Sequence, residues 1–157
     1  MDWSEIVDNP YLQDLPFKIE QDRYGNILMS PASNWHGRIQ VRLAKRLERE
    51  LSGGEAFVEC SVQTAEGVKV PDVVWQSDAH FAVHGDTTPM TVAPEICVEV
   101  LSPRNSRAEM DEKRALYLAA GAVEVWSCDK TGKMEFFDLS GQLAESKLAP
   151  GFPSHIV

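Results

Sequence analysis

Residues 94–117 read PEICVEVLSPRNSRAEMDEKRALY. They divide into a buried strand, a Ser-Pro stop, a capped helix start and a helix with a lysine on its apolar stripe. Alternation puts Ile96, Val98 and Val100 on one side of the strand and Glu95, Cys97, Glu99 and Leu101 on the other. Ser106-Arg107-Ala108-Glu109 matches a capping box, so a helix is expected from about Ser106, with Gly121 as its C′ residue. Two residues resist explanation by packing. Glu99 lies among Ile96, Cys97, Val98, Val100 and Leu101, where an unpaired carboxylate is costly. Lys113 shares the helical stripe of Met110, Leu116, Tyr117 and Ala120.

Just upstream, Pro71-Asp72 heads a second apolar run, VPDVVW. A proline cannot donate to a ladder, so it marks an edge, a bulge or a strand start. EAFVECSVQT and GVKVPDVVW read as two strands joined through Ala65-Glu66-Gly67. Residues 77–91, SDAHFAVHGDTTPMT, carry little regular pattern and read as a loop. His80 and His84 within it lack a carboxylate or cysteine at zinc-site spacing, which leaves them as exposed loop histidines.

Further toward the N-terminus, FKIEQD and ILMSP form an expected hairpin through Gly25-Asn26. A helix is expected from about Trp35 to Leu51, capped near Ser33 or Asn34 and stopped at Ser52-Gly53-Gly54. Its apolar stripe is Ile39, Leu43, Leu47 and Leu51, extended by His36. His36 is either a satisfied core or cap residue or a site group aimed at the sheet. Arg38, Arg42, Lys45, Arg46 and Arg49 gather on the opposite side. That row reads as a solvated face or as a phosphate-tracking surface.

Toward the C-terminus, AVEVWSCD and KMEFFDL form a second hairpin through Lys130-Thr131-Gly132, and the tail with Pro150-Gly151 and Pro153 adds a short strand or covers the sheet. The order ββ-α-ββ-β-α-ββ implies an α/β fold bordering on α+β, with a central mixed sheet flanked by helices. The 157 residues are expected to form one domain, 1–157.

Composition narrows the class. Hydrophobic content of 43% and charged content of 25% suit a soluble globular domain. No run of about 18 apolar residues implies a membrane span, and the acidic, proline-broken start MDWSEIVDNPYLQDLP does not match a secretory leader. Cys60, Cys97 and Cys128 have no CxxC spacing. They read as buried free thiols, so a cytoplasmic location is expected. The net charge of -9 counts against a polyanion partner unless basic residues cluster locally.

Asp72, Glu99 and Lys113 enter one core region from three elements. Adjacent carboxylates repel unless a cation or proton compensates them, and their oxygens suit a hard divalent ion such as Mg²⁺. With a lysine beside them, they suit metal-assisted phosphodiester hydrolysis. The plainer readings are a turn aspartate, a snorkelling lysine and a structural ion pair.

The set PDVVW, PEICVEVLSPRNSRAEMDEKRALY, GAVEVW and PGFPSHIV resembles the Uma-two group of restriction endonuclease domains, within the PD-(D/E)XK phosphodiesterase superfamily. The resemblance covers nearly the whole chain and implies a restriction-endonuclease-like core. By that likeness Asp72 and Glu99 match the acidic metal ligands. The main-chain carbonyl of Val100 is a further implied ligand, and Lys113 is the catalytic lysine displaced onto the following helix. The superfamily lysine two residues after the second acid is replaced here by Leu101. Glu20 and His36 also match, with an outer metal ligand or water-positioning role implied for Glu20 and substrate contact for His36. Glu95 is either a supporting group beside Glu99 or a strand-end charge.

The expectation is a Mg²⁺-dependent endonuclease, with Mn²⁺ as a substitute, acting on DNA. Water would be activated between the metal and Lys113. A homodimer would present two sites to two strands. The rival is a catalytically silent binding or regulatory module that keeps the nuclease fold; a hydrolase of small phosphodiesters is a third reading.

Overall fold

The computed structural model describes residues 1–157. A short helix α1 (Trp3–Asp8) and a 3₁₀ turn (Pro10–Leu12) lead into the hairpin β1 (Phe17–Gln21) and β2 (Ile27–Pro31). Then come α2 (Asn34–Glu50), β3 (Gly54–Phe57), β4 (Val62–Thr64), β5 (Gly67–Lys69), β6 (Val73–Ser77) and α3 (Asp78–His84). β7 (Ile96–Val100), α4 (Arg107–Ala119), β8 (Glu124–Cys128), β9 (Met134–Asp138) and β10 (Gly141–Leu143) complete the chain.

Six strands form one mixed sheet in the order β10-β9-β8-β7-β6-β3. Its one parallel pair is β7 with β8, which α4 connects as a crossover. β1–β2 and β4–β5 are separate two-stranded sheets. The mixed sheet with helices against both faces is the expected architecture, of α+β type.

The alternation read in β7 is what divides the core. Ile96, Val98 and Val100 face Ile39, Leu43 and Leu47 of α2, together with Trp75, Trp126 and Phe152. Cys97 faces the other way, with Val74, Val125, Met90 and Tyr117 of α4. Leu43 and Leu47 are wholly buried; each such side chain contributes about 1.5–3 kcal/mol through burial. A third, smaller cluster of Trp3, Ile6, Val68 and Val70 lies with Ile19 and Ile27 of the β1–β2 hairpin.

Both long helices start at their expected caps. Ser33 Oγ accepts the His36 N–H at 3.1 Å, and Ser106 Oγ accepts the Glu109 N–H at 3.1 Å. Gly121 follows α4 with φ 111°, where a Cβ would meet Val92 at 2.9 Å.

Two expectations are corrected. Each of the long strands read before and after residue 66 is broken in two. Glu59 takes φ 60° between β3 and β4, and Val70-Pro71-Asp72 separates β5 from β6. Residues 78–84 are helical: Ser77 Oγ accepts the His80 N–H at 3.0 Å, and one short helix follows. Phe81 and Val83 are exposed, so no apolar stripe marks it in sequence. His80 is therefore a half-buried helical residue rather than an exposed loop one. Its Nε2 lies 3.0 Å from the Ala93 carbonyl and its Nδ1 2.9 Å from Gln76 Nε2.

Candidate active site

Three acidic side chains from three elements are buried together: Glu20 of β1, Asp72 just before β6, and Glu99 of β7. Their exposures are 6%, 2% and 4%. Backbone geometry brings the two expected metal-binding acids side by side. The Asp72 N–H donates to the Val98 carbonyl at 2.9 Å, and the Val100 N–H donates to Asp72 Oδ2 at 2.7 Å. Gln40 Nε2 of α2 donates to the Asp72 carbonyl at 3.0 Å, pinning the turn after Pro71.

Cations and anions alternate along the floor of the site. His36 Nε2 is 3.3 Å from Asp72 Oδ2. Lys18 Nζ bridges Asp72 Oδ1 at 3.2 Å and Glu99 Oε2 at 3.4 Å. Lys113 Nζ bridges Glu99 Oε1 at 3.4 Å and Glu20 Oε1 at 3.0 Å. The Tyr117 hydroxyl donates to Glu99 Oε1 at 2.6 Å, and the Val70 N–H donates to Glu20 Oε2 at 2.7 Å. Lys113 thus reaches Glu99 from α4, while Leu101, just past β7, donates its N–H to the Cys128 carbonyl at 2.8 Å.

The electrostatics follow from burial and partners. Burial disfavours the Asp72 carboxylate, but His36, Lys18 and the Val100 N–H outweigh that and hold it well below the usual carboxylate range. Burial has the opposite outcome at Glu99: it raises the carboxyl, Asp72 and Glu20 add to the rise, and Lys18 and Lys113 only partly offset it. Burial also works against charge on Lys18, yet Glu99, Asp72 and Glu20 hold its ammonium well above the ordinary lysine value. Asp72 raises His36, against the pull of burial. Tyr117 is pushed well above its ordinary value by burial and by Glu99, and so stays a hydroxyl donor.

The cluster forms the floor of a cleft of about 750 Å³, walled by β2 residues such as Met29 and Ser30 and by the loop Ser102–Asn105. Arg104 and Lys130 stand at the same cleft. Of the residues singled out from the sequence, Asp72, Glu99, Lys113, Glu20 and His36 all meet here. Glu95 does not. It sits four residues before Glu99, about 13 Å along a strand, and accepts the Ser77 N–H at 3.2 Å; sharing a face is not sharing a place. Lys18, Tyr117 and Gln40 were missed. Lys18 had one available signal, its shared face with Glu20 in FKIEQ.

The donor set fits a hard divalent ion only in a limited way. No three His, Cys, Asp or Glu side chains are arranged as a ready cage. Asp72 and Glu99 nonetheless offer oxygens that already share one positive charge, the Lys18 ammonium, which marks a cation position between them. Two carboxylates with water completing the shell is the usual manner of Mg²⁺.

No helix is long and apolar enough to cross a membrane. No curated protein matches the sequence. Among solved structures, the chain is similar to one described as a putative nuclease belonging to DUF820, from Anabaena variabilis. The TM-score is 0.75 at 17% identity, over 99% of this chain and 95% of that one. At this identity the likeness speaks for the fold. The profile of the Uma2 family, described as "Putative restriction endonuclease", matches residues 11–153, and the chain belongs to that family.

Proposed function

We propose that this protein is a Mg²⁺-dependent phosphodiester hydrolase of PD-(D/E)XK type acting on DNA, with Asp72, Glu99 and Lys113 as its catalytic residues. The observation that carries the proposal is the alternating row His36–Asp72–Lys18–Glu99–Lys113–Glu20 at the floor of one cleft. Asp72 and Glu99 would hold the metal, with the Val100 carbonyl as a further ligand. When bound, the metal supplies Lewis-acid charge at a phosphoryl oxygen and eases deprotonation of the attacking water.

The protein's own groups do the rest. Tyr117 fixes the Glu99 carboxylate by donating to Oε1. Glu20 holds the Lys113 ammonium at 3.0 Å, so that it faces the cleft, where a phosphoryl oxygen gains charge as water attacks. His36, 3.3 Å from Asp72, orients that carboxylate and offers a substrate contact. Arg104 and Lys130 at the cleft suit flanking phosphates.

A DNA substrate has to be reconciled with the net charge of -9. Arg38, Arg42, Lys45 and Arg49 are exposed and form no salt bridge, whereas Arg46 pairs with Glu50 at 2.9 Å. Their spacing of i, i+4, i+7 and i+11 puts them in one row about 16 Å long. A local phosphate-tracking face is therefore available despite the acidic whole. The silent binding module remains the second reading, favoured by that net charge and by Lys18 already neutralising the acids.

A homodimer in the cytoplasm completes the proposal; the free, buried Cys60, Cys97 and Cys128 suit a reducing compartment. Light scattering over a concentration series should give the mass of two chains, and one-chain mass throughout contradicts the dimer. The function is tested by plasmid nicking. Wild type is expected to nick with Mg²⁺ and to stop with chelator, and Asp72→Asn to lose about a hundredfold or more. DNA binding without nicking at any divalent ion supports the silent module instead.

A further inference from the structure

Lys18 stands where a cation shared by Asp72 and Glu99 would stand. Its Nζ lies 3.2 Å from one carboxylate and 3.4 Å from the other, and the side chain is only 21% exposed. The three carboxylates of Asp72, Glu99 and Glu20 already have cationic or hydrogen-bonding partners without a metal, in Lys18, Lys113 and His36. A divalent ion between Asp72 and Glu99 would lie within a few ångströms of the Lys18 ammonium, beside two carboxylates that are 2% and 4% exposed, where burial strengthens the repulsion of like charges.

The fold gives Lys18 a way out. It is carried by β1, whose sheet is the isolated β1–β2 hairpin, not the six-stranded sheet that bears Asp72 and Glu99. The outer strand, β2, is exposed along Leu28–Pro31. Ile19 and Ile27 anchor the hairpin on a different apolar cluster from the two that pack the central sheet. Lys18 also lines the cleft, so a side-chain rotation can carry its ammonium outward without breaking a ladder hydrogen bond.

We propose that Lys18 is the built-in counter-ion of this site: it holds Asp72 and Glu99 together when no metal is bound and gives up its seat when one binds. The inference rests on the metal-dependent reading above. It assigns Lys18 a positioning role that runs opposite to simple support, because its presence weakens metal binding. An ammonium turned into the cleft needs a new anion, and a substrate phosphodiester supplies one. Phosphodiester and metal therefore favour each other's binding, by the reciprocity of linked equilibria.

The test is calorimetric titration of Mg²⁺ and Mn²⁺ without nucleic acid at pH 8, on wild type, Lys18→Met and Lys18→Arg. If the vacated seat is a minor state of about 1–10%, removing the ammonium tightens metal binding by roughly 10- to 100-fold. Lys18→Arg keeps the charge and should bind no more tightly than wild type. A merely structural lysine predicts the reverse, since losing it would loosen the site and weaken binding. Equal or weaker binding by Lys18→Met overturns the inference while leaving the metal reading intact. No uptake by any of the three proteins overturns both.

Should Lys18→Met fail to fold, the wild type answers by itself. NMR of the lysine ammonium groups should show the Lys18 signal exchange-protected without metal and freed at saturating Mg²⁺. A signal unchanged at saturation overturns the inference.

Discussion

Two glutamates lie buried on the neighbouring parallel strands β7 and β8, and they are held in opposite ways. Glu124 is 1% exposed and takes four neutral donors: Trp126 Nε1 at 2.7 Å, Ser146 Oγ at 2.7 Å, and the backbone N–H groups of Lys147 at 2.8 Å and Leu148 at 3.0 Å. Glu99, 4% exposed, is held by one neutral donor, Tyr117, and by two lysine ammonium groups. Glu124 ties the C-terminal segment to the sheet through fixed neutral donors. The two lysine partners of Glu99 line a cleft, where on the proposed function a metal or a phosphate would exchange with them. Burial alone does not mark a site. What marks it is whether the compensating groups are fixed dipoles or exchangeable ions.

The sharpest way to break that comparison is to replace each carboxylate by its amide. In either orientation Glu124→Gln turns an amide N–H₂ toward at least one group that only donates, the Trp126 indole N–H or the Lys147 and Leu148 backbone N–H groups, leaving buried donors unpaired. Urea unfolding should show a loss of about 2–4 kcal/mol. Glu99→Gln keeps an acceptor for Tyr117 and removes a charge that burial disfavours, while Lys18 and Lys113 keep Asp72 and Glu20 as partners, so no buried charge is left uncompensated and the loss should stay within about 1 kcal/mol. Activity should divide the other way. Nicking by Glu99→Gln is expected to fall about a hundredfold or more, while folded Glu124→Gln keeps wild-type nicking within about threefold. Equal stability losses in the two variants would remove the distinction.

A smaller effect separates the cleft from the outer face of α2. Arg38→Glu with Arg42→Glu should weaken DNA binding without changing metal affinity. The slope of log affinity against log salt should fall by about 2 units, near 0.9 for each phosphate no longer neutralised. An unchanged slope makes that face a solvated one.

The smallest effect expected concerns pH. Asp72 raises His36 above its ordinary value of 6.5. The stability this pairing adds is fully present below about pH 6.5 and is lost as pH rises through the raised folded value. Urea midpoints between pH 5.5 and 8.5 should therefore decline with pH more in wild type than in His36→Gln. Parallel curves would mean that His36 does not titrate against Asp72.

Much of this was legible in the sequence because local patterns clashed with single residues. Glu99 interrupts an apolar strand, Lys113 an apolar helix stripe, and Asp72 follows a proline that marks an edge, a bulge or a strand start; all three meet in the cleft. Lys18 raised no such conflict, since a lysine in a short hairpin strand is ordinary edge chemistry. Only the long-range packing of the hairpin brings it to residues 54 and 81 positions away. Tyr117 read as core, and it is core; its hydroxyl becomes visible as a site group only once Glu99 is placed 2.6 Å away. Glu95 shows the limit of alternation, which assigns a face but not a position along the strand. The break between β3 and β4 escaped notice because Glu59 takes a positive φ with no glycine to announce it, whereas Pro71 marks the break before β6 as one of its readings.

Titration of Mg²⁺ by calorimetry into wild type and Asp72→Ala, with plasmid nicking followed on the same samples, tests the central claim most directly. The account predicts metal binding by wild type, its loss in Asp72→Ala, and nicking that appears only where the metal binds. Metal binding that survives in a folded Asp72→Ala variant, or nicking that proceeds in chelator, would contradict it.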